Sequence, residues 1–148
     1  MIIKNKMAGF SLLEVLIAFL ILTIGLLGMA GLQATSLRNN HSTYLRSQAI
    51  IHAYDIMDRM RANKAAALAG NYARDFGDSK PTQTCSSACS ASNMALADQN
   101  SWVDAVSRLP SGDGSIAVTN TGAATVIVRW DDVRDSNNLI SFQLTTQL

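Results

Sequence analysis

The sequence predicts an α+β chain: a long N-terminal helix, then a small antiparallel β-sheet head carrying one short extra helix. Three observations predict it. From Val15 to Leu32 no residue is charged. From Gln33 to about Lys64, apolar residues recur at spacings of three and four. The C-terminal part alternates apolar and polar residues in three short runs separated by turn residues.

The N-terminal run follows a leader containing Lys4 and Lys6 and opens with Gly9-Phe10-Ser11-Leu12-Leu13-Glu14-Val15. Its uncharged stretch of 18 residues makes about 27 Å of helix, close to the roughly 30 Å of a hydrocarbon core. One carboxylate, Glu14, stands at the edge, where a charge is costly unless partnered. A secretory signal would account for the basic leader and the apolar run, with Gly28-Met29-Ala30 as a cleavage triplet. Against it, Glu14 interrupts the apolar region, and the run exceeds the roughly 7–15 residues a signal needs. A plain transmembrane anchor explains the length but not Glu14.

A third reading accounts for both. Gly9-Phe10-Ser11-Leu12-Leu13-Glu14-Val15-Leu16-Ile17-Ala18 resembles the leader of type IV prepilins. The resemblance implies that a prepilin peptidase cuts between Gly9 and Phe10 on the cytoplasmic side and that the apolar helix is kept. It also implies that Phe10, the new N-terminus, is N-methylated. Glu14 then takes an assembly role: the carboxylate of one subunit attracts the cationic amine of Phe10 on an adjoining subunit and sets the axial register. The plainer account of Glu14 is a side chain snorkelling toward the headgroups. Lys4 and Lys6 agree with a cytoplasmic leader and a periplasmic head, single-pass in the inner membrane before export onto the cell surface in a pilus.

Beyond the apolar run the helix continues. Gly25, Gly28 and Gly31 fall every third residue, roughly on one stripe. They serve close helix packing or local melting, at about 1 kcal/mol per glycine relative to alanine, or they reflect the abundance of glycine in membrane helices. Many major pilins carry a proline in this region; this chain has none there, so a bend would come from the glycines. Leu45, Ala49, Ala53, Ile56 and Met60 mark a face for burial. Asp55 with Arg59 (i,i+4) and Asp58 with Arg61 (i,i+3) mark an exposed one. Asn63 is a stop signal, and Ala65 to Ala69 would carry the helix on to Gly70. An uncapped element of some 55 residues points to a membrane or coiled helix.

The stretch Asp58-Arg59-Met60-Arg61-Ala62-Asn63 is similar to the signature that follows the helix in the PilV group of minor pilins, the type IV pilus modification proteins. Later features come in the same order: a cysteine pair, Met94-Ala95, Trp102, Leu109-Pro110, Gly112-x-Gly114, and a strand with Val128-x-Trp130-Asp131. The resemblance implies a type IV pilin-like fold and a minor pilin that is structural and primes pilus assembly in a tip complex. Its implied partners are the prepilin peptidase, other minor pilins, the major pilin and a candidate tip adhesin. A minor pseudopilin of a type II secretion system shares nearly the same leader and is the alternative.

Residues 70–81 read as a polar surface loop around Gly77 and Pro81. Cys85 and Cys89 are the only cysteines. In the periplasm an even count implies a disulfide with one pairing, holding a short loop. A metal would need about four ligands, and His41 and His52 lie far upstream. Ser92 to Leu109 reads as a second helix that Pro110 stops, with Trp102, Val103, Val106 and Leu109 on one face and Asp98 and Asp104 outward. Ser111 to Gly114 reads as a turn. Strands follow over 115–119, 125–130 and 139–145, which group Ile116 with Val118, Val126 with Val128 and Trp130, and Ile140 with Phe142 and Leu144. The turns between them are Asn120 to Gly122 and Asp135 to Asn138. Asp131, Asp132 and Asp135 could hold Ca²⁺, but without EF-hand spacing they read more simply as a polar hairpin loop.

The organisation expected is a cleaved leader (1–9), a transmembrane and assembly helix (10–32), an amphipathic continuation (33–69) and a globular head (70–148). Losing Lys4 and Lys6 takes the formal charge from +1 to −1, with 10 basic against 11 acidic residues. The scattered basic residues give no support for a nucleic-acid surface. No arrangement of His41 or His52 with a serine or cysteine suggests a catalytic triad. The chain reads as a non-enzyme without cofactor. From another class, a signal-processed periplasmic binding domain or enzyme remains the alternative, and it predicts cleavage near Ala30.

Overall fold

The computed structural model describes residues 9–132 and 139–148. In chain order the elements are helix α1 (Leu12–Ala62), helix α2 (Lys64–Leu68), helix α3 (Ala91–Val106) and strands β1 (Asp113–Val118), β2 (Ala123–Asp131) and β3 (Leu139–Gln147). The α+β layout is the one the sequence predicts: one long N-terminal helix, a short extra helix and a three-stranded antiparallel sheet. The chain divides into two compact units, residues 1–41 and 42–148.

In the first unit every residue from Gly9 to His41 is exposed. The helix here is long and apolar enough to cross a membrane, and none of its apolar window is buried. Its hydroxyls turn inward to the backbone: Thr23 Oγ1 donates to the Leu20 carbonyl at 2.8 Å and Thr35 Oγ1 to that of Gly31 at 3.1 Å. Such back-bonding satisfies these two hydroxyls within the helix itself. A Cβ added at Gly25, Gly28 or Gly31 would meet nothing within 4 Å. Among the described residues the glycine stripe therefore packs against nothing.

The second unit is built around the later turns of α1. Leu45, Ala49, Ala53, Ile56 and Met60 are buried, and Met57 joins them. They share one core with Tyr72, Trp102, Val106, Leu109 and the inward residues of the sheet. The sheet order is β1-β2-β3. In β2, Ala124, Val126, Val128 and Trp130 are buried, the period-two pattern of a strand with one face on the core. β1 pairs with it in the register Ile116↔Val126, and β3 in the register Phe142↔Val128 and Leu144↔Val126. Phe142 and Leu144 are half-buried on the core side, whereas Ile140 stays exposed at the end of this edge strand.

Trp102 is fully buried, and its indole Nε1 donates to the His52 carbonyl at 2.8 Å, tying α3 to α1. A Cβ at Gly114 would clash with the Trp102 ring, so glycine is required where β1 crosses the indole. β1 has already begun at Asp113, so the turn expected over Ser111–Gly114 is shorter than its residues suggested.

The helices end earlier than periodicity alone indicates. α1 stops at Ala62, Asn63 leaves helical geometry (φ −118°, ψ 47°), and α2 restarts at Lys64. The break is held from outside the helix, since Asn63 Nδ2 donates to the Ala91 carbonyl at 2.7 Å and to Tyr72 Oη at 3.3 Å. α3 is capped by Ser90, whose side chain accepts from the Asn93 N–H at 3.2 Å, and it ends at Val106 rather than Leu109. There the chain folds back so closely that a Cβ at Gly112 would clash with the Val106 carbonyl.

Candidate functional site

The candidate site is the start of α1. Gly9, Phe10 and Ser11 lie outside the helix, which opens at Leu12. Ser11 organises that opening. Its Oγ accepts from the Leu13 N–H at 3.3 Å, and its carbonyl accepts from the N–H groups of Glu14 at 3.0 Å and Val15 at 3.3 Å. Ser11 is thus the N-cap and Glu14 the third helical residue, in the first turn where the helix dipole favours an anion.

Phe10 is 85% exposed, and Glu14 is exposed as well. Phe10, Glu14, Val15, Ala18, Phe19 and Leu22 line a shallow groove of about 250 Å³ that is almost wholly apolar. One carboxylate in such a groove suits a cationic group presented by something outside the chain. Sequence reasoning singled out Gly9, Phe10 and Glu14 and passed over Ser11. The signal was present: Ser11-x-x-Glu14 has the spacing of a capping box.

In the head, Cys85 and Cys89 form a disulfide with Cα atoms 6.1 Å apart, within the usual range for such a bridge. Beside it lies a polar cluster that the sequence did not reveal. Asp98, expected to face outward, turns toward α1, and only 14% of its side chain is exposed. Arg59 Nη1 reaches Asp98 Oδ1 at 3.1 Å, while Arg59 Nε bonds Asp55 at 3.1 Å. Tyr72 Oη donates to Asp98 Oδ2 at 2.5 Å, and Ser101 Oγ accepts from Arg59 at 3.1 Å. Burial, reinforced by the bond to Asp98, pushes the Tyr72 hydroxyl well above its ordinary pKa. Burial works against the charge on Arg59, but its bonds to Asp55 and Asp98 outweigh that and raise its pKa. With Tyr72 protonated and Asp98 saturated, the cluster clamps α1, α3 and the intervening loop together. It offers no activated nucleophile.

The other predicted positions are dispersed. His41 is exposed on α1, and His52 is half-buried and held neutral by burial, with Arg108 adding to the effect and Asp55 opposing it. Asp132 Oδ2 accepts from Ser42 Oγ at 2.7 Å. Asp135, and with it the Asp135–Asn138 turn, lies outside the described residues. Among the described residues no three His, Cys, Asp or Glu side chains are grouped as a metal site.

With this geometry established, the comparisons bear on the N-terminal segment. The family model for the prokaryotic N-terminal methylation motif matches residues 4–30. That span contains Gly9, Phe10, Glu14 and most of the apolar run. No curated protein and no solved structure matches the chain. The motif is the signal that a prepilin peptidase cleaves, and it gives the chain a type IV pilin-like N-terminus.

Proposed function

We propose that the chain is a minor pilin of a type IV pilus, related to the PilV group, that primes assembly in a tip complex. The methylation motif over residues 4–30 supports the pilin-type part of this reading, and the resemblance of Asp58-Arg59-Met60-Arg61-Ala62-Asn63 to the PilV signature supports the rest. In it, the peptidase removes residues 1–9 and methylates the amine of Phe10. Residues 10–32 hold the subunit in the inner membrane, α1 continues to Ala62 with α2 after the break, and the head from residue 70 faces the periplasm. The protein is itself the substrate of that chemistry and performs none.

The exposed first unit supports this proposal. An apolar helix with every side chain exposed needs lipid or other helices around it, and a pilin has both in turn, membrane before assembly and neighbouring subunits after it. Glu14 then pairs with the Phe10 amine of an adjoining subunit, where water is scarce and a lone carboxylate would be costly. Other minor pilins, the major pilin and a tip adhesin are its partners in this reading. The Cys85–Cys89 bridge fits an oxidising compartment.

The deciding measurement is the N-terminus of the mature chain, read by mass spectrometry of the membrane fraction. N-methylated Phe10 is expected. A soluble product beginning near Gly31 would instead mark a signal-processed periplasmic protein. Glu14→Leu is expected to insert normally yet fail to enter fibres, and normal incorporation would remove the pairing role. A pseudopilin of a type II secretion system would carry the same N-terminus. Deletion of the gene separates the two, since a minor pilin's loss abolishes surface pili and a pseudopilin's loss abolishes protein secretion.

A further inference from the structure

We infer that Ser11 is a positioning residue for processing: it stops α1 immediately after the scissile Gly9–Phe10 peptide and keeps that peptide out of the helix. The inference rests on the processing proposed above.

Hydrolysis at this bond adds the hydroxyl of water to the Gly9 carbonyl carbon and breaks the bond to the Phe10 nitrogen. The nitrogen takes the proton and leaves as an amine. The carbonyl must therefore be open to attack, with its oxygen free for donors in the peptidase. A helix denies both, because each carbonyl accepts from the N–H four residues on. If α1 ran one turn further back, the Leu13 N–H would bond the Gly9 carbonyl and the Glu14 N–H the Phe10 carbonyl.

Ser11 takes both of these donors. Its Oγ accepts the Leu13 N–H at 3.3 Å, and its own carbonyl accepts the Glu14 N–H at 3.0 Å. Among the described residues no donor is directed at the Gly9 carbonyl. Gly9 and Phe10 are non-helical and exposed. The flanking residues reinforce the stop. Phe10 precedes the cap and Val15 is the fourth helical residue, the two positions of a hydrophobic staple that fixes how the chain enters a helix. Both line the same groove. Ser11 thus acts through the backbone, by competing for the N–H groups that would otherwise fold the cleavage site into α1.

The test uses the full-length chain in detergent micelles with purified prepilin peptidase. Cleavage after Gly9 is followed by mass spectrometry, and the ¹³C shift of a labelled Gly9 carbonyl is read in parallel. Ser11→Ala removes the cap while favouring helix. It is expected to be cut up to about fivefold more slowly, with the Gly9 carbonyl moving toward helical values. Ser11→Asn, a neutral residue that caps as well as serine, is expected to restore both the rate and the shift. Wild-type cleavage of Ser11→Ala would overturn the inference. So would an Asn variant cut as slowly as the Ala variant with the carbonyl shift unchanged in both, since that pattern means the peptidase reads the hydroxyl itself. If the wild-type chain is not cut after Gly9, it is the processing reading that fails, and the inference falls with it.

Discussion

Residues 12–41 and residues 42–62 belong to one continuous helix, yet they use their side chains in opposite ways. In the first stretch every residue is exposed although most are apolar. In the second, six residues on one face are buried against α3 and the sheet. Helix formation is common to both, so propensity does not separate them. The partner does: the second stretch finds its own inside the head, whereas among the described residues the first has none. Stability should therefore be decided almost entirely by the second unit, and the first should be silent in any measurement of head folding.

Replacing Trp102 should break the comparison most sharply. The side chain is fully buried and its indole holds the His52 carbonyl. Trp102→Ala is expected to cost the head about 3–5 kcal/mol. Leu20→Ala, an equally apolar truncation in the exposed stretch, should leave head stability where it was. Near-UV circular dichroism of the full chain in micelles, followed through thermal unfolding, checks both. Equal losses would mean that the two units are not energetically separate.

Asp98 comes next. It is the acceptor shared by Arg59 and Tyr72, so Asp98→Ala leaves a guanidinium and the hydroxyl of a buried tyrosine short of partners. A loss of about 1–3 kcal/mol is expected in urea unfolding. Asp104→Ala, which removes only the exposed pair with Lys80, should change it by less than about 1 kcal/mol. The disulfide follows. It closes a loop between residues only four apart, so Cys85→Ser with Cys89→Ser should cost about 2 kcal/mol or less. That change is also expected to leave the N-terminal segment and its processing intact.

The parts legible in the sequence are those set by period and spacing. The apolar run, the buried face of α1 and the alternation in β2 each follow from local geometry, which a chain displays whether or not it is folded. Gly9, Phe10 and Glu14 were legible as a motif. What sequence reasoning missed depends on docking. Asp98 lies on α3 at a position that periodicity calls outward, and only the placement of Arg59 and Tyr72 around it makes it an inward clamp. The break at Asn63 lies between the two: the residue was legible as a stop signal, but the bonds that hold it, to the Ala91 carbonyl 28 residues on and to Tyr72 nine residues on, were not. Ser11 is a different case. Its capping spacing was readable, but attention to Glu14 as a membrane charge obscured it as the third residue of a helix.

The smallest expected effect sharpens the comparison through a pH response in the head. His52 is half-buried on α1, and burial lowers its pKa from the ordinary 6.5, with Arg108 adding to the effect and Asp55 partly opposing it. Between the lowered folded value and 6.5 the unfolded chain binds a proton that the folded head does not. Stability should therefore be complete above about pH 6.5 and fall as pH drops through that window. His52→Gln removes the titration and should flatten this part of the profile. Urea midpoints measured in steps from pH 7.5 to pH 5 would show the difference. A slope that survives in His52→Gln would assign the response to another group.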